Sequence, residues 1–217
     1  MLYPARMEIT WLGHSCFLIK GKETAVLTDP CHPDFGYDLG QPLAHVVTVS
    51  HSHPGHNYVQ GIPNTPRQLS APGEYEIGGT FITGIAAFHD NNRGRDIGRN
   101  IIYLIEMDGI ALCHLGDLGH PLSPRLIEEL GDVDILFLPV GEGRSISVDL
   151  AAQTVKDLNP HIVLPMHYRT DSFSGQLATV DKFLDRMGIR EAETKPKLLI
   201  TSSSLPSSTH TVVLSHA

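Results

Sequence analysis

Cysteine, long apolar runs and targeting signals are scarce or missing in this chain of 217 residues. Its 3 cysteines are too few and too scattered for a disulfide framework or a Cys-x-x-Cys metal site. No apolar run approaches the roughly 18 residues that a membrane span needs, and the N-terminal MLYPARMEITW has neither an apolar core nor a cleavage pattern. We therefore expect no membrane partner and a cytoplasmic location. Cys16 and Cys113 are expected to be buried free thiols, and Cys31 is not a predicted ligand.

Positive charge is also in deficit, since Lys and Arg total 16 against 24 for Asp and Glu, which gives a formal net charge of -8. A surface of this sign repels phosphate backbones unless basic residues gather on one face, so nucleic acid is a disfavoured partner. Hydrophobic residues at 41% and charged residues at 18% are typical of a globular chain. The length predicts one domain spanning residues 1–217.

Histidine, by contrast, is abundant, with 13 copies. It is the commonest metal ligand among side chains, and its imidazole titrates near neutrality. We expect most of these histidines to be surface residues. The excess nevertheless directs attention to any that cluster with the spacing of metal ligands.

The order of hydrophobic patterns predicts an α/β fold. Short β-rich runs fill residues 7–29, and AHVVTVS at residues 44–50 is a near-continuous apolar strand of the kind that is covered on both faces. More strands are predicted between residues 81 and 117. In the second half, helical spacing in SPRLIEELG and SVDLAAQTVKDLNP alternates with the strand candidates DILFLPV and HIVLPMH. A further helix near residues 179–187 precedes the strand candidates LLITSS and TVVLS, so the order indicates packed sheets with helices outside.

Three histidines follow the apolar strand directly, in the segment SHSHPGH at residues 50–56. His51 and His53, two residues apart, can point to one side of an extended segment. The Pro-Gly turn can return His56 to the same place. The alternative is that all three are surface loop histidines.

Three more candidate ligands end later strand candidates: His89 in FITGIAAFHD, Asp117 in HLGDLGH and His167 in VLPMHYRT. A single histidine at a strand end is more often a capping or core residue. Strand ends in a layered fold converge on one edge, where loops carry the chemistry. The four segments together therefore indicate one metal site.

The four segments resemble, in their order, the metallo-β-lactamase-fold superfamily, whose signature is His-x-His-x-Asp-His followed by a His, an Asp and a His at later strand ends. The resemblance runs from ITWLGHSCFLI to PMHYRT. Within the superfamily the chain is most similar to small metal-dependent hydrolases that include ascorbate-phosphate lactonase-like proteins. The motifs that carry this closer resemblance are Gly13-His14-Ser15, Thr28-Asp29-Pro30, Gly116-Asp117 and His167-Tyr168.

The resemblance implies a four-layer αββα sandwich of two mixed β-sheets with helices on the outer faces. It also implies two metal sites that share one carboxylate. Gly55 departs from the signature, because it occupies the position of the usual aspartate, and this places occupancy of the second site in question. The implied ligands are His51, His53 and His89 for the first site, His56 and His167 for the second, and Asp117 as the bridge.

The implied ligands predict which ions bind. Three histidines with a carboxylate oxygen suit Zn²⁺ and leave room for water. Two histidines with one carboxylate also hold Fe²⁺ or Mn²⁺, and affinity falls when a charged ligand is lost. We expect one or two divalent ions, with zinc favoured and manganese or iron as alternatives. A metal-bound water has its pKa drawn from about 15.7 toward about 7, so it supplies hydroxide at neutral pH.

Other polar residues near the predicted ligands have two interpretations each. We predict that His14, together with Asp117, is catalytic and that it positions substrate or passes a proton; the alternative is a simple turn histidine. Asp29 either accepts a hydrogen bond that orients a ligand imidazole or starts a turn before proline. His114 points into the site or into the core, and His120 ends a loop. Neither is a predicted ligand.

Two further segments are candidates for contact with substrate. Arg93, Arg95 and Arg99 follow a predicted ligand in HDNNRGRDIGRN, and arginine forks match carboxylate and phosphate oxygens. The alternative is a solvated polar loop. PGEYEIGG, around Glu74 and Tyr75, is a candidate wall of the pocket.

The combined expectation is a metal-dependent hydrolase that uses metal-activated water on a small, anionic ester, lactone or phosphoester. Its partner is then a small-molecule substrate, and the sequence leaves a monomer and a homo-oligomer both open. One alternative is an iron-site redox enzyme, because the depleted second site has open positions. Another is a non-catalytic metal- or ligand-binding module in which Gly55 marks lost activity.

Overall fold

The structure is a computed structural model that describes residues 6–64, 66–173 and 175–216. Residues 1–5, part of the stretch considered above for a targeting signal, lie outside this description. The strands are β1 (Met7–Gly13), β2 (Cys16–Lys20), β3 (Ala25–Thr28), β4 (Val46–Thr48), β5 (Arg67–Leu69), β6 (Gly73–Ile77), β7 (Thr80–Phe88), β8 (Arg99–Met107), β9 (Ile110–His114), β10 (Ile135–Pro139), β11 (Ile162–Met166), β12 (Glu193–Lys195), β13 (Leu198–Ile200) and β14 (His210–Leu214). The α-helices are α1 (Pro124–Leu130), α2 (Val148–Leu158) and α3 (Val180–Met187), and short 3-10 helices lie at Pro33–Phe35, Val59–Gly61 and Ser202–Ser204.

The strands form two mixed β-sheets. The first has 6 strands in the order β13-β1-β2-β3-β4-β5, antiparallel from β13 to β3 and parallel from β3 to β5. The second has 8 strands in the order β12-β14-β11-β10-β9-β8-β7-β6, parallel from β12 to β9 and antiparallel from β9 to β6. Together with the helices, these sheets form the αββα sandwich that the sequence predicted.

The hydrophobic core joins the two sheets. Phe17 of β2 packs against Phe137 of β10 with ring centroids 4.6 Å apart, and both side chains are fully buried. The strands β10 and β11, with sequences ILFLP and IVLPM, are buried along their whole length. This is the pattern of parallel strands that are covered on both faces. The cysteines are free and buried, as predicted for Cys16 and Cys113.

Helix α2 begins and ends where the sequence supplies caps. The side chain of Ser147 accepts a hydrogen bond from the backbone N–H of Leu150, and Asp149 lies in the first turn. Asn159 ends the helix in the left-handed conformation. These caps fix the end of the preceding loop, residues 141–147, which borders the site described below. Within the described residues, no helix has the length and apolarity needed to cross a bilayer.

Three short strands, β5, β6 and β12, were not among the predicted elements. The strand β5, with sequence RQL, is largely exposed, and β6, with sequence GEYEI, is the last strand of its sheet. Strand propensity depends on packing against neighbours and on burial. Short, polar, exposed segments of this kind therefore give little periodic signal in the sequence.

Candidate metal centre

The predicted site residues meet at one edge of the sandwich, each just beyond the end of a strand. Asp29 follows β3, His51 follows β4 after a short link, and His89 follows β7. Asp117 lies shortly after β9, and His167 directly follows β11. The carboxyl ends of neighbouring parallel strands share one edge of a sheet, so segments far apart in the sequence converge there.

Three residues of this edge adopt a left-handed backbone that is rare outside glycine: His14 with φ 52°, Asp29 with φ 36° and His167 with φ 52°. Such conformations cost about 1–3 kcal/mol each and cluster at functional sites. All three side chains are buried. The backbone therefore turns sharply at the strand ends and keeps these polar groups inside the protein.

Asp117 lies at the centre of the site. Its Oδ2 atom is 3.1 Å from Nε2 of His167, 3.2 Å from Nε2 of His56 and 3.3 Å from Nε2 of His89. The corresponding distance to His51 is 3.9 Å. One carboxylate oxygen thus faces four imidazole nitrogens from three segments of the sequence.

Asp29 orients two of these imidazoles through hydrogen bonds at Nδ1, the ring nitrogen that does not face Asp117. The Nδ1 atom of His56 donates a hydrogen bond to Oδ2 of Asp29 at 2.9 Å. The Nδ1 atom of His51 donates to Oγ of Ser50 at 3.0 Å, and that hydroxyl donates to the same Asp29 oxygen at 2.5 Å. Asp29 therefore makes the contact that the sequence suggested for it, a hydrogen bond that orients an imidazole with its other nitrogen toward the centre.

The rings of His89 and His53 are held differently from one another. Nδ1 of His89 donates to the backbone carbonyl of Arg144 at 3.1 Å, which leaves its Nε2 facing the centre. Nδ1 of His53 instead accepts the backbone N–H of Gly55 at 3.2 Å. His53 is exposed, and its ring centroid lies 5.9 Å from that of His51. Among the implied first-site ligands, His53 is therefore the one at the rim.

Burial and two carboxylates set the charge within the site. Burial lowers the pKa of His51 to about 3, and the neighbouring His56 acts in the same direction. Burial also acts to lower the pKa of His56, but Asp117 and Asp29 outweigh burial and raise it. For Asp117, burial acts to raise the pKa, but His167 and His56 hold it well below 3.8. His51 is thus neutral at neutral pH, which is the form that binds metal, and a cation would replace the proton on His56.

The arrangement fits a divalent metal ion. One buried polar atom at the centre, Oδ1 of Asp117, has no hydrogen-bond partner. Buried polar groups are rarely left in that state, and an ion is one of the accepted explanations. The donors are imidazole nitrogens and a carboxylate oxygen, which suit zinc. Groups of ligand atoms within 4.8 Å of one another are His51, His89 and Asp117; His51, His53 and His56; and His14, His56 and His167.

The centre opens into a cavity of about 560 Å³, within the range of small-molecule sites. Phe35, Ile97, Phe173 and Leu177 supply apolar wall, and Arg144 supplies a positive charge. The rings of Phe35 and Phe173 stack with centroids 5.1 Å apart. These wall residues come from distant segments of the chain that share no motif, so no pattern in the sequence indicates that they meet.

The two histidines left outside the predicted ligand set have local partners. Nε2 of His114 donates to the backbone carbonyl of Ser15 at 3.0 Å, and its Nδ1 accepts the N–H of Gly116 at 3.2 Å. His114 is fully buried and therefore belongs to the core. Nε2 of His120 accepts the backbone N–H of Phe88 at 3.2 Å. Neither ring lines the cavity, among the residues that the structure describes.

The arginine segment forms a polar loop, which was the alternative to a substrate contact. Arg93, Arg95 and Arg99 are exposed and are not among the described residues that line the cavity. The loop is organised by Asp90, whose carboxylate accepts hydrogen bonds from five backbone N–H groups. The arginine that does line the cavity is Arg144.

The predicted pocket wall around Glu74 and Tyr75 is wrong. Both residues lie on the edge strand β6, and the hydroxyl of Tyr75 donates to the carbonyl of Ala71 at 3.0 Å. Neither is among the residues that line the cavity. The wall is formed instead by the aromatic pair described above.

Known proteins match this chain over most of its length. A family model for a beta-lactamase superfamily domain matches residues 8–167. A UPF0173 metal-dependent hydrolase from Desulforamulus reducens is 28% identical over 202 residues, covering 76% of this chain and 85% of the relative. A UPF0173 protein from Pyrococcus furiosus is 30% identical over 189 residues, with coverage of 76% and 85%. A solved structure from Thermotoga maritima, described as a Zn-dependent hydrolase of the metallo-β-lactamase superfamily, matches with a TM-score of 0.80 and 34% identity, covering 96% of this chain and 98% of that chain.

The matches agree with the geometry. The range matched by the family model, residues 8–167, contains every histidine and aspartate of the centre described above. The fold, the strand-end positions of those residues and the relatives all lead to the same assignment. The chain therefore belongs to the metallo-β-lactamase superfamily and is a metal-dependent hydrolase.

Proposed function

We propose that the protein hydrolyses a small anionic ester, lactone or phosphoester, and that zinc is its metal. The observation that carries the proposal is Oδ2 of Asp117, which lies 3.1 Å from Nε2 of His167, 3.2 Å from Nε2 of His56 and 3.3 Å from Nε2 of His89. The description of the Thermotoga maritima relative as Zn-dependent supports the choice of metal.

We assign the first ion to His51, His53, His89 and Asp117. When bound, such an ion lowers the pKa of a coordinated water and polarises a carbonyl or phosphoryl oxygen. The hydrogen bonds at Nδ1 of His51 and His89 keep their Nε2 atoms directed at the centre. Oδ1 of Asp117, which has no partner in the protein, is free to accept a hydrogen bond from the attacking water and to orient it.

The shape and charge of the cavity define the substrate class. Its volume of about 560 Å³ admits a small molecule. The stacked rings of Phe35 and Phe173 offer an apolar surface, and the guanidinium of Arg144 can pair with a carboxylate or phosphate of the substrate. The susceptible bond would then lie between the arginine and the metal ligands.

A substrate panel tests the activity. Zinc-loaded protein is expected to turn over at least one member of a panel of lactones, thioesters and phosphodiesters that carry an anionic group. Arg144→Ala should raise KM for that substrate with a smaller change in kcat, because it removes a binding contact. Arg125→Ala, on the exposed part of α1, is the matched control and should leave both constants unchanged. No turnover on any member of the panel would contradict the proposal.

Metal analysis tests the ligand assignment. His51→Ala and His89→Ala should each remove a bound ion, whereas His210→Ala, an exposed histidine on β14, should not. The ion content is measured by mass spectrometry of protein dialysed against zinc and iron together. Full zinc content in either of the first two variants would show that the residue is not a ligand, and retention of iron over zinc would favour the redox alternative.

A further inference from the structure

His14 occupies the space beside Gly55, the residue that stands where the superfamily signature has an aspartate. A Cβ atom added to Gly55 would lie 3.0 Å from Nε2 of His14, 3.0 Å from Cε1 of Phe35 and 3.1 Å from Nδ1 of His53. These distances are tighter than ordinary van der Waals contact, which begins at 3.4 Å. A larger side chain at residue 55 and the imidazole of His14 therefore compete for one place.

The imidazole of His14 also groups with two histidines of the centre. Its ring centroid lies 4.3 Å from that of His167 and 5.1 Å from that of His56. One ring nitrogen from each of the three residues lies within 4.8 Å of the others. That spacing allows one ion to contact all three rings.

A buried nitrogen without a partner distinguishes His14 from an ordinary core histidine. His14 is 2% exposed, and its Nδ1 has no hydrogen-bond partner. His114 is equally buried, yet both of its ring nitrogens are bonded, to Ser15 and Gly116. The nitrogen of His14 beside Gly55 is the other one, Nε2, so Nδ1 is not fixed by a protein group and Nε2 is the atom placed to contact an ion.

The turn that carries His14 is fixed in place. Its backbone carbonyl accepts hydrogen bonds from Nε1 of Trp11 at 3.1 Å and from the N–H of His167 at 3.0 Å. The second bond ties His14 directly to another residue of the group. The ring itself packs against Phe35 and Phe173, at centroid distances of 5.0 Å and 5.4 Å. The imidazole is therefore held toward the centre, as a metal ligand requires.

We infer that His14 replaces the absent aspartate, so that His14, His56 and His167 hold a second divalent ion with Asp117 shared between the two. The inference rests on the proposed function for the first ion. It assigns His14 as a ligand, rather than as the residue that positions substrate or passes a proton. Neutral imidazoles then stand in for a charged ligand, and Asp117 supplies the negative charge of the second site.

Zinc stoichiometry and affinity test the inference. The natural chain is expected to bind two Zn²⁺ ions in competition with a chromogenic chelator, and His14→Ala to retain one. The affinity for the second ion should fall by more than the roughly 10–100-fold that loss of a supporting partner costs. His14→Phe keeps an aromatic ring packed against the Phe35–Phe173 pair, so it gives the same test if the alanine variant does not fold. His210→Ala is the control and should bind two ions.

A double variant tests the competition for space. Gly55→Asp combined with His14→Ala should regain the second ion, because a carboxylate then enters the place that the imidazole leaves. A double variant that binds no better than His14→Ala would overturn the claim that the two side chains share one position.

The outcomes also separate this inference from the proposed function. One ion in the natural chain, or two ions held with unchanged affinity in His14→Ala, would overturn the role of His14 while leaving the first ion in place. No bound ion in the natural chain would overturn both.

Discussion

Substitution of Gly119 should disturb the metal centre although it changes no ligand side chain. The backbone N–H of Gly119 donates to the carbonyl of Phe88 at 3.0 Å, at the end of β7. A Cβ atom at Gly119 would lie 2.3 Å from the carbonyl carbon of His89 and 2.4 Å from the backbone nitrogen of Asp90. Both contacts are with backbone atoms, which cannot swing aside as a flexible side chain can.

The size of the effect follows from these distances. Ordinary contact begins at 3.4 Å, so a first contact of 2.3 Å requires the two segments to separate by about 1.1 Å. Metal–ligand distances tolerate deviations of only about 0.2 Å. We therefore expect Gly119→Ala to displace His89 and to weaken zinc binding by more than about 10-fold, the lower end of the loss seen when ligand support fails. Overpacking should also lower the free energy of unfolding by about 1–3 kcal/mol.

The assay combines chelator competition for zinc with urea unfolding of the metal-free protein. Gly188→Ala is the control, because Gly188 ends α3 with φ 70° and has no atom within 4 Å of an added Cβ. It should cost about 1–2 kcal/mol from the left-handed backbone alone and leave the zinc affinity unchanged. If Gly119→Ala bound zinc as tightly as the natural chain, the packing between this loop and His89 would not be what positions the ligand.

Three further substitutions have defined outcomes. Asp29→Asn is expected to weaken zinc binding about 10–100-fold, because it removes the carboxylate that orients His56. Chelator competition measures the loss of affinity, and an unchanged affinity would contradict that role of Asp29. His114→Ala should leave the zinc content intact while the free energy of unfolding falls by about 1–3 kcal/mol, since the buried N–H of Gly116 loses its acceptor and the carbonyl of Ser15 keeps only the hydroxyl of Thr28 as a donor; loss of zinc would instead place His114 in the centre. Burial acts to raise the pKa of Asp90, but its five backbone hydrogen bonds outweigh burial and hold the pKa below 3.8. The ionised carboxylate therefore stabilises the fold above that pH, and this stabilisation is lost as the pH falls and the group is protonated. Asp90→Asn should therefore be less stable than the natural chain near neutral pH, and urea unfolding should show the difference shrink in acid; a constant difference would refute the argument.

The sequence could predict the metal centre because its residues follow strands that are recognisable one by one. AHVVTVS predicts a buried strand from its own composition, and the structure places β4 within it, a short link before His51. The same holds for His89 after β7 and His167 after β11. Once these segments are assigned as strands of a layered fold, the convergence of their ends follows from general rules.

The surroundings of the centre could not be predicted in the same way, because they depend on which loops meet in space. Arg144 contacts His89 across a separation of 55 residues, and no periodicity or motif connects the two. Arg93 and Arg95 lie much closer to His89 in the sequence, but the loop that carries them folds around Asp90 and leaves them exposed. Proximity along the chain was therefore a poor guide to proximity in the cavity.

His14 shows the same limit for a single residue. Its motif marks a turn between two strands, and the structure confirms that turn between β1 and β2. What the sequence could not supply was the distance from its imidazole to Gly55, which depends on how two separate loops pack.

Arg144 acts at the metal centre through two separate groups, its backbone carbonyl and its side chain. Its backbone carbonyl, which every amino acid shares, accepts the hydrogen bond that fixes the ring of His89, while the guanidinium belongs to the side chain alone, and the residue lines the cavity. A change of side chain at this position can alter which substrates are accepted without dismantling the metal site. In a superfamily where one scaffold serves many reactions, such a position lets substrate preference diverge while the hydrolytic machinery is inherited intact.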